Sequence, residues 1–342
     1  MKEVKLKDIA KAASVSSATV SLALNNKGGV SQNTSKKIVT IAKKMGYILP
    51  YQPQLQKKGG YIRFIKIIKH GHILNDDHNA FVSSYIEGLQ KEASTLGYLV
   101  EIQYFEQNDI NSVLQSFNNT PPAGALILAT ELNTDDIKLF QHVKVPIVFM
   151  DAYYNFIPYN FVDMNNTDAV FKIIKYLFQN GHKDIGIVQG EFVTPNFQLR
   201  EEGFFKSLDF LNLVFNQSYY YKVQSKYEDA NQDMLEQVDV DNLPSALFCV
   251  NDIIAMGCIR ALQKKGLNIP QDISVVGFDN LPAGEISSPS LTTIEVSKQQ
   301  IGQRAMNLLH SKINKGDADP PEKIQIGGRL VVRNSVSRNN QK

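Results

Sequence analysis

The chain has 342 residues, 43% of them hydrophobic and 20% charged, an ordinary globular composition spread over too great a length for one core, so two or three domains are expected. No apolar run reaches the roughly 18 residues a membrane span needs. The N-terminus also lacks the apolar stretch and cleavage site of a signal peptide, so a cytoplasmic protein is expected.

The net charge of +2 conceals an asymmetry. Residues 1–60 carry eleven lysines, no arginine, and only Glu3 and Asp8 as acids, a net +9; the other 282 residues hold 25 basic and 32 acidic side chains, a net −7. A small basic module on a mildly acidic body predicts that the module meets a polyanion. Cys249 and Cys258 match no zinc spacing and read as core thiols in a reducing compartment.

In chain order, Leu6, Ile9, Ala10 and Ala13 recur at helical spacing. A break at residues 14–16 follows, and Val20, Ala23 and Leu24 define a second helix from about Ser17 to Asn25. Asn26-Lys27-Gly28-Gly29 is a loop. Ser31 is placed to cap a third helix, with Ile38, Ile41, Ala42 and Met45 on its apolar side, Lys36, Lys37, Lys43 and Lys44 on its wet side, and Gly46 at its end. Two short helices across a tight turn, with a third in support, predict a helix-turn-helix. A recognition helix presents its first residues to base edges in the major groove. The set Ser16, Ser17, Ala18, Thr19, Ser21, Leu22 and Asn25 is therefore the candidate DNA-contacting surface: hydroxyls donate to or accept from bases, and an alanine methyl meets a thymine methyl.

The segment "KLKDIAKAASVSSATVSLALNN…VSQNTSKKIVTIAKKMGYILP" resembles the DNA-binding headpiece of the lactose-repressor (LacI/GalR) family of bacterial transcription regulators, and the likeness runs on through nearly the whole chain. It implies that Ser16, Ser17, Ala18 and Leu22 read bases. The family often has Thr where Lys5 stands, Gly where Ser14 stands and Arg where Leu22 stands. With no arginine in residues 1–60, the operator is expected to be read by apolar and hydroxyl contacts, while lysines meet phosphates. "LPYQPQLQKKGG" reads as a linker. The family forms a hinge helix there, whose leucine wedges into the minor groove; Leu55 is the candidate wedge, and a single turn starting at Pro53 is compatible with it.

From Arg63 the chain alternates strand and helix. "RFIKIIK", "LVEIQYF", "GALILA" and "PIVFMD" form one set of strand candidates, with "FVSSYIEGLQKEASTLGY" as an amphipathic helix. "FVDM", "DIGIVQG", "SYYYKV", "SALFCVN" and "ISVVGFD" form a second set. Such alternation predicts an α/β fold with two parallel sheets covered by helices. The resemblance implies more: a periplasmic-binding-protein-like body of two doubly wound lobes. The expected domains are a headpiece at 1–48, a hinge at 49–60 and a body at 61–338. Lobe 1 is expected at about 61–160 and 291–320, and lobe 2 at about 161–290 and 321–338. "LTTIEV" should return the chain to the first lobe and "GRLVVRNSV" should close the second.

Ligands of open α/β sheets sit beyond the carboxyl ends of strands. Asp151, Asn251, Asp252 and Asp279 follow strand candidates, and Arg200 opens "REEGF". Carboxylates, an amide and a guanidinium suit sugar hydroxyls. The resemblance matches Asp151, Arg200, Asn251 and Asp279 to effector-binding positions, with Phe81 and Phe248 as apolar walls. Asp252 is expected to cap the following helix. The cluster "HGHILNDDHN" at 70–79 has His70 and His72 alternating as on a strand; a metal site and a cleft rim are both open readings, with no metal or cofactor expected overall. Phosphate-loop, dinucleotide, nucleophile-elbow and zincin motifs are absent, although carboxylates alone do not exclude a hydrolase. The helix-turn-helix weighs against an enzyme. The expected protein is a homodimeric, operator-binding transcription regulator controlled by a sugar. Its short C-terminus, without heptads, suggests no tail-linked tetramer.

Overall fold

The computed structural model describes residues 4–24, 30–45, 47, 60–106, 110–316 and 319–339. It divides into two compact units, residues 1–57 and 58–342.

In the first unit, α1 (Leu6–Ala13), α2 (Ser17–Leu24) and α3 (Gln32–Lys44) bury a core of Ile9, Ala10, Ala13, Val20, Ala23, Leu24, Ile38 and Ala42. Local chemistry sets each end. The Lys5 amide donates to the Asp8 carboxylate at 2.8 Å. Ser16 Oγ accepts from the Thr19 amide at 3.0 Å, and Ser31 Oγ from the Thr34 amide at 3.3 Å, so both serines cap helices. Ser14 ends α1 in the left-handed region, at φ 55. Only glycine adopts that conformation without steric penalty, which is the physical reason a glycine suits this turn.

The second unit begins with β1 (Tyr61–Ile67), α4 (Asn79–Leu96), β2 (Leu99–Phe105), α5 (Ile110–Asn119), β3 (Gly124–Leu128), α6 (Thr134–Lys138), β4 (Ile147–Met150) and β5 (Asn160–Met164). There follow α7 (Asn166–Gln179), β6 (Ile185–Gly190), α8 (Pro195–Phe210), β7 (Tyr220–Val223), α9 (Tyr227–Gln237), β8 (Ala246–Cys249), α10 (Asp252–Lys264), β9 (Ser274–Val276) and α11 (Pro282–Ile286). The chain closes with β10 (Thr293–Glu295), α12 (Lys298–Lys315), β11 (Lys323–Ile326) and β12 (Arg329–Val331).

One parallel sheet has the order β11-β5-β4-β3-β1-β2, a second has β7-β6-β8-β9, and β10 and β12 form an antiparallel pair. Strand interiors such as Gly124–Leu128 are buried throughout, as a sheet covered on both faces requires. No helix among the described residues is long and apolar enough to cross a membrane.

Three sequence expectations need correction. "FVDM" belongs to the first sheet, where β5 pairs with β4 and β11. Residues 323–326, expected in the second lobe, form β11 at the edge of that same sheet. A strand pattern states that a segment pairs but not with which sheet, so the lobe boundaries at 160 and 320 fall too early. "LTTIEV" does not itself join the first lobe: β10 pairs with β12. The return is made by α12, which lies on α4 and on β3, β4 and β5. The two helices cross at backbone contact. A Cβ on Gly302 would stand 2.3 Å from the Tyr85 carbonyl oxygen, so glycine is required at that crossing. The contact fixes the α4 face that carries Phe81 and Tyr85 toward the strand ends.

Candidate functional site

At the carboxyl ends of both sheets, Asp151, Arg200, Asn251, Asp279 and Phe81 converge with Ile73, Leu74, His78, Val82, Thr130, Thr194, Asn196 and Phe197. They leave a cavity of only about 30 Å³. Asn196 from the second lobe bonds Asp151 of the first, and Asn251 bonds His78, so the two lobes are closed on each other in this structure.

Thr194 opens α8 by accepting from the Phe197 amide, which aims Asn196 and Arg200, one helical turn apart, into the cleft. Arg200 is 3% exposed, and each of its three guanidinium nitrogens donates. Nε donates to Asn166 Oδ1 at 2.9 Å, Nη1 to the Val250 carbonyl at 2.7 Å and Nη2 to Asp279 Oδ1 at 3.2 Å. It also lies 3.8 Å above the centre of the Phe278 ring.

On the first-lobe side, Asp151 accepts from Tyr85 at 2.8 Å, from Asn196 at 3.0 Å and from Thr130 at 2.5 Å. Burial pushes its carboxyl up to about 6 against these hydrogen bonds and the nearby Arg200. Asp279 is likewise raised by burial, with Arg200 opposing. Asp151 at φ 61 and Asp279 at φ 116 are non-glycine residues in the left-handed region. Such strain is held where surrounding bonds over-determine the backbone.

Asn251 does two jobs. Its Oδ1 caps α10 by accepting from the Ile254 amide at 2.8 Å, and its Nδ2 donates to His78 Nε2 at 3.1 Å. Burial lowers the His78 pKa and favours the neutral ring. With Nε2 accepting, the proton sits on Nδ1, which has no partner among the described residues. Asp163, behind the site on β5, is pushed well up by burial and by Asp151, and its Oδ1 also lacks a partner.

Two expected roles change. Phe248 is no cleft wall: it is fully buried on β8 and stacks on Phe204, because alternate residues of a strand face opposite sides and position 248 faces a covering helix. Asp252 is not the cap of α10, since Asn251 holds that place. Instead its carboxylate accepts from the Leu281 amide and the Thr293 hydroxyl, and burial raises it to about 7.

The sequence reading missed Thr130, Asn196 and Phe197. Thr130 was findable, since it follows "ALILA" at a strand end. Asn196 and Phe197 precede Arg200 by four and three residues on one helix, a spacing that brings them to one side. His78 belonged to the "HGHILNDDHN" cluster, whose members separate. His78 enters the cleft, while His70 and His72 lie on a bend with ring centres 5.0 Å apart. Among the described residues, no group of three His, Cys, Asp or Glu could hold a metal ion.

In the headpiece, Ser17 and Ala18 on α2 are exposed, and Thr19, Ser21 and Leu22 half-buried. Ser16 is exposed, but its Oγ is committed to the Thr19 amide and hydroxyl. Asn25 and Leu55 lie outside the described residues. Lys5, Lys7, Lys11, Lys36, Lys37 and Lys44 are exposed.

A helix-turn-helix module and a two-lobed body with a polar cleft at its strand ends define a ligand-responsive DNA-binding regulator. A family model described as "Bacterial regulatory proteins, lacI family" matches residues 5–49, and one described as "Periplasmic binding protein-like domain" matches residues 174–336. The HTH-type transcriptional repressor PurR of Histophilus somni (strain 129Pt) is 31% identical over 338 residues, 97% of this chain and 98% of its own length. The chain belongs to the lacI family of bacterial regulatory proteins.

The lac repressor dimer bound to operator and the anti-inducer ONPF shares the fold at 23% identity, with 98% of this chain and 100% of that one covered and a TM-score of 0.75. A complex of the transcriptional regulator CelR with cellobiose does so at 19% identity, 97% and 100% coverage and a TM-score of 0.72. This protein is a DNA-binding transcription regulator of the repressor type, not an enzyme. That lac repressor is a dimer, bound at once to operator and to a small molecule.

Proposed function

We propose that the interlobe cleft binds a sugar and that its occupancy sets the affinity of a cytoplasmic homodimer for a pseudo-palindromic operator. The observation that carries this reading is the Arg200–Asp279–Asn251–Asp151 constellation at the strand ends. It offers forked donors, two carboxylates, an amide and an unpartnered His78 Nδ1 beside the apolar Phe81 and Phe197. Adjacent sugar hydroxyls each donate and accept, and so can replace the cleft's internal bonds one for one. The CelR complex with cellobiose supports the same class of ligand. Because the cleft is closed, a sugar enters only after the lobes part, and an effector shifts operator affinity by its differential affinity for the two arrangements.

At the other end, Ser17, Ala18, Thr19, Ser21, Leu22 and Asn25 meet base edges, with Ser16 acting first as the cap of α2. Leu55 is the candidate minor-groove wedge. A thermal-shift screen of mono- and disaccharides, with nucleobases as the contrasting class, tests the effector. A ligand at 100 times its dissociation constant adds roughly 2.7 kcal/mol. Any sugar hit is then carried into a gel shift with the upstream DNA of the protein's own gene. Silence from every sugar and a response to a nucleobase would move the effector to that class.

A further inference from the structure

Glu131 follows the carboxyl end of β3 and is 4% exposed. Its carboxylate faces almost nothing but backbone. Oε2 accepts from the amides of Lys69, His70 and Gly71 at 2.9, 3.0 and 3.0 Å, and Oε1 from those of Ile73 and Leu74 at 2.9 Å each. His70 Nδ1 stands 3.3 Å from Oε1. Such a turn of convergent N–H groups is a nest for an anion, and here the anion is an internal side chain. Hydrogen bonds to a charged acceptor are the strong ones, and five of them over-determine the path of residues 69–74. They hold the Glu131 pKa below its usual value although burial pushes the other way.

That same segment is the first-lobe rim of the cleft. Ile73 and Leu74 line the enclosed space. On the outer side, the His72 ring stacks on Phe192, from the loop after β6 in the second lobe, with centroids 3.4 Å apart and planes inclined by 7°. His70 lies 5.9 Å from the same ring. One step along, the Tyr227 amide donates to Asp77 Oδ2 at 3.4 Å, again from second lobe to first.

We propose that Glu131 is a positioning residue that fixes residues 69–74 as the rim of the cleft, and that the His72–Phe192 stack is the contact through which this rim shuts on the second lobe. The proposal rests on the cleft being the effector site, but its geometry is testable without an effector. Glu131→Gln offers one acceptor and two donors where all five partners donate. It therefore loses at least two bonds and sets N–H against N–H.

In the wild-type protein, hydrogen exchange at the amides of 69–71, 73 and 74 should be at least about tenfold slower than in an unprotected loop. Glu131→Gln should remove that protection there and leave the rest of the body protected. The chain has no tryptophan, so Phe192→Trp supplies a single reporter at the stack. Adding either His72→Gly or Glu131→Gln should raise its acrylamide quenching by about threefold, as loss of a ring stack uncovers the indole.

Unprotected amides in the wild type, or quenching indifferent to His72→Gly, overturns the proposal even if Glu131→Gln fails to fold. Loss of protection across the whole body in Glu131→Gln overturns it too, by making Glu131 a general fold residue. If these readouts hold while cellobiose and the other sugars neither stabilise the protein nor change the reporter, the rim stands and the sugar reading falls.

Discussion

Helix α2 of the headpiece and the cleft of the body hold their polar side chains in opposite ways. On α2, Ser17 and Ala18 face outward and the buried residues are only Val20, Ala23 and Leu24. In the cleft, Arg200, Asp279, Asp151 and Asn251 are all at most 4% exposed, and each is hydrogen-bonded to buried neighbours. A surface of the first kind meets DNA with little rearrangement, and its side chains can change without disturbing the fold. The second kind must exchange internal bonds for ligand bonds, so binding there is coupled to conformation. Under the proposed function, recognition and allosteric control are divided between a surface that is ready and a site that is occupied by itself.

The sharpest way to break this contrast is to remove one partner of the cleft network. Arg200→Ala removes the ion-pair partner of the buried Asp279 carboxylate, and breaking a buried pair by removing one partner costs about 3–5 kcal/mol. Chemical denaturation of the body should show that loss, and calorimetry with any sugar hit should show no binding. Wild-type stability in Arg200→Ala would mean the network holds nothing together.

The next test uses proton linkage at Asp252, whose pKa is raised to about 7 by burial and the neighbouring Asp279. An acid with a raised folded-state pKa binds its proton more tightly when folded. Its contribution is fully present below the ordinary carboxylate pKa, falls as pH rises toward 7, and is constant above that. Relative to Asp252→Asn, the wild type should lose up to about 1.4 kcal/mol of stability per pH unit between pH 5 and 7, then run parallel. Profiles that stay parallel throughout would place that carboxylate in a solvated setting. Taking the difference between the two proteins cancels the opposite contribution of His78, whose pKa is lowered by burial.

On the headpiece the same logic predicts altered preference without altered stability. Ala18→Gln with Leu22→Arg should change the sequence selected from random DNA, by about 1–3 kcal/mol per contacted base pair. The change in headpiece stability should stay within about 0.5 kcal/mol. An unchanged selected sequence would remove α2 from base reading. The smallest effect is at Ser16. As a cap, its replacement by Ala should lower headpiece stability by about 1 kcal/mol and weaken binding to all sequences alike. A shift at one base position would instead make Ser16 a reader.

Much of this protein was legible in the sequence. The helix-turn-helix was, because its three helices are short and local. Ile9 with Ala13, Val20 with Leu24 and Ile38 with Ala42 stand at helical spacing within their helices, and serines at 16 and 31 mark the starts of the second and third. The alternation of strands and helices was legible for the same reason. Asp151, Asn251 and Asp279 stood at the ends of apolar runs, where a parallel sheet leaves its ligand-binding edge.

What only the tertiary structure decided was partnership. Period-2 patterns do not say which sheet a strand joins, so β5 and the β11 segment were placed in the second lobe until pairing put β5 beside β4 and β11 beside β5. They also do not say which face of β8 looks into the cleft, and Phe248 proved to be core. Asn251 rather than Asp252 caps α10, a difference of one residue that only backbone geometry fixes. Glu131 carried no signal, because its partners are amides that every residue possesses. Local hydrophobic period and capping chemistry are written residue by residue. The choice among equivalent partners is made by long-range packing, when the lobes close and each buried polar atom must find a mate.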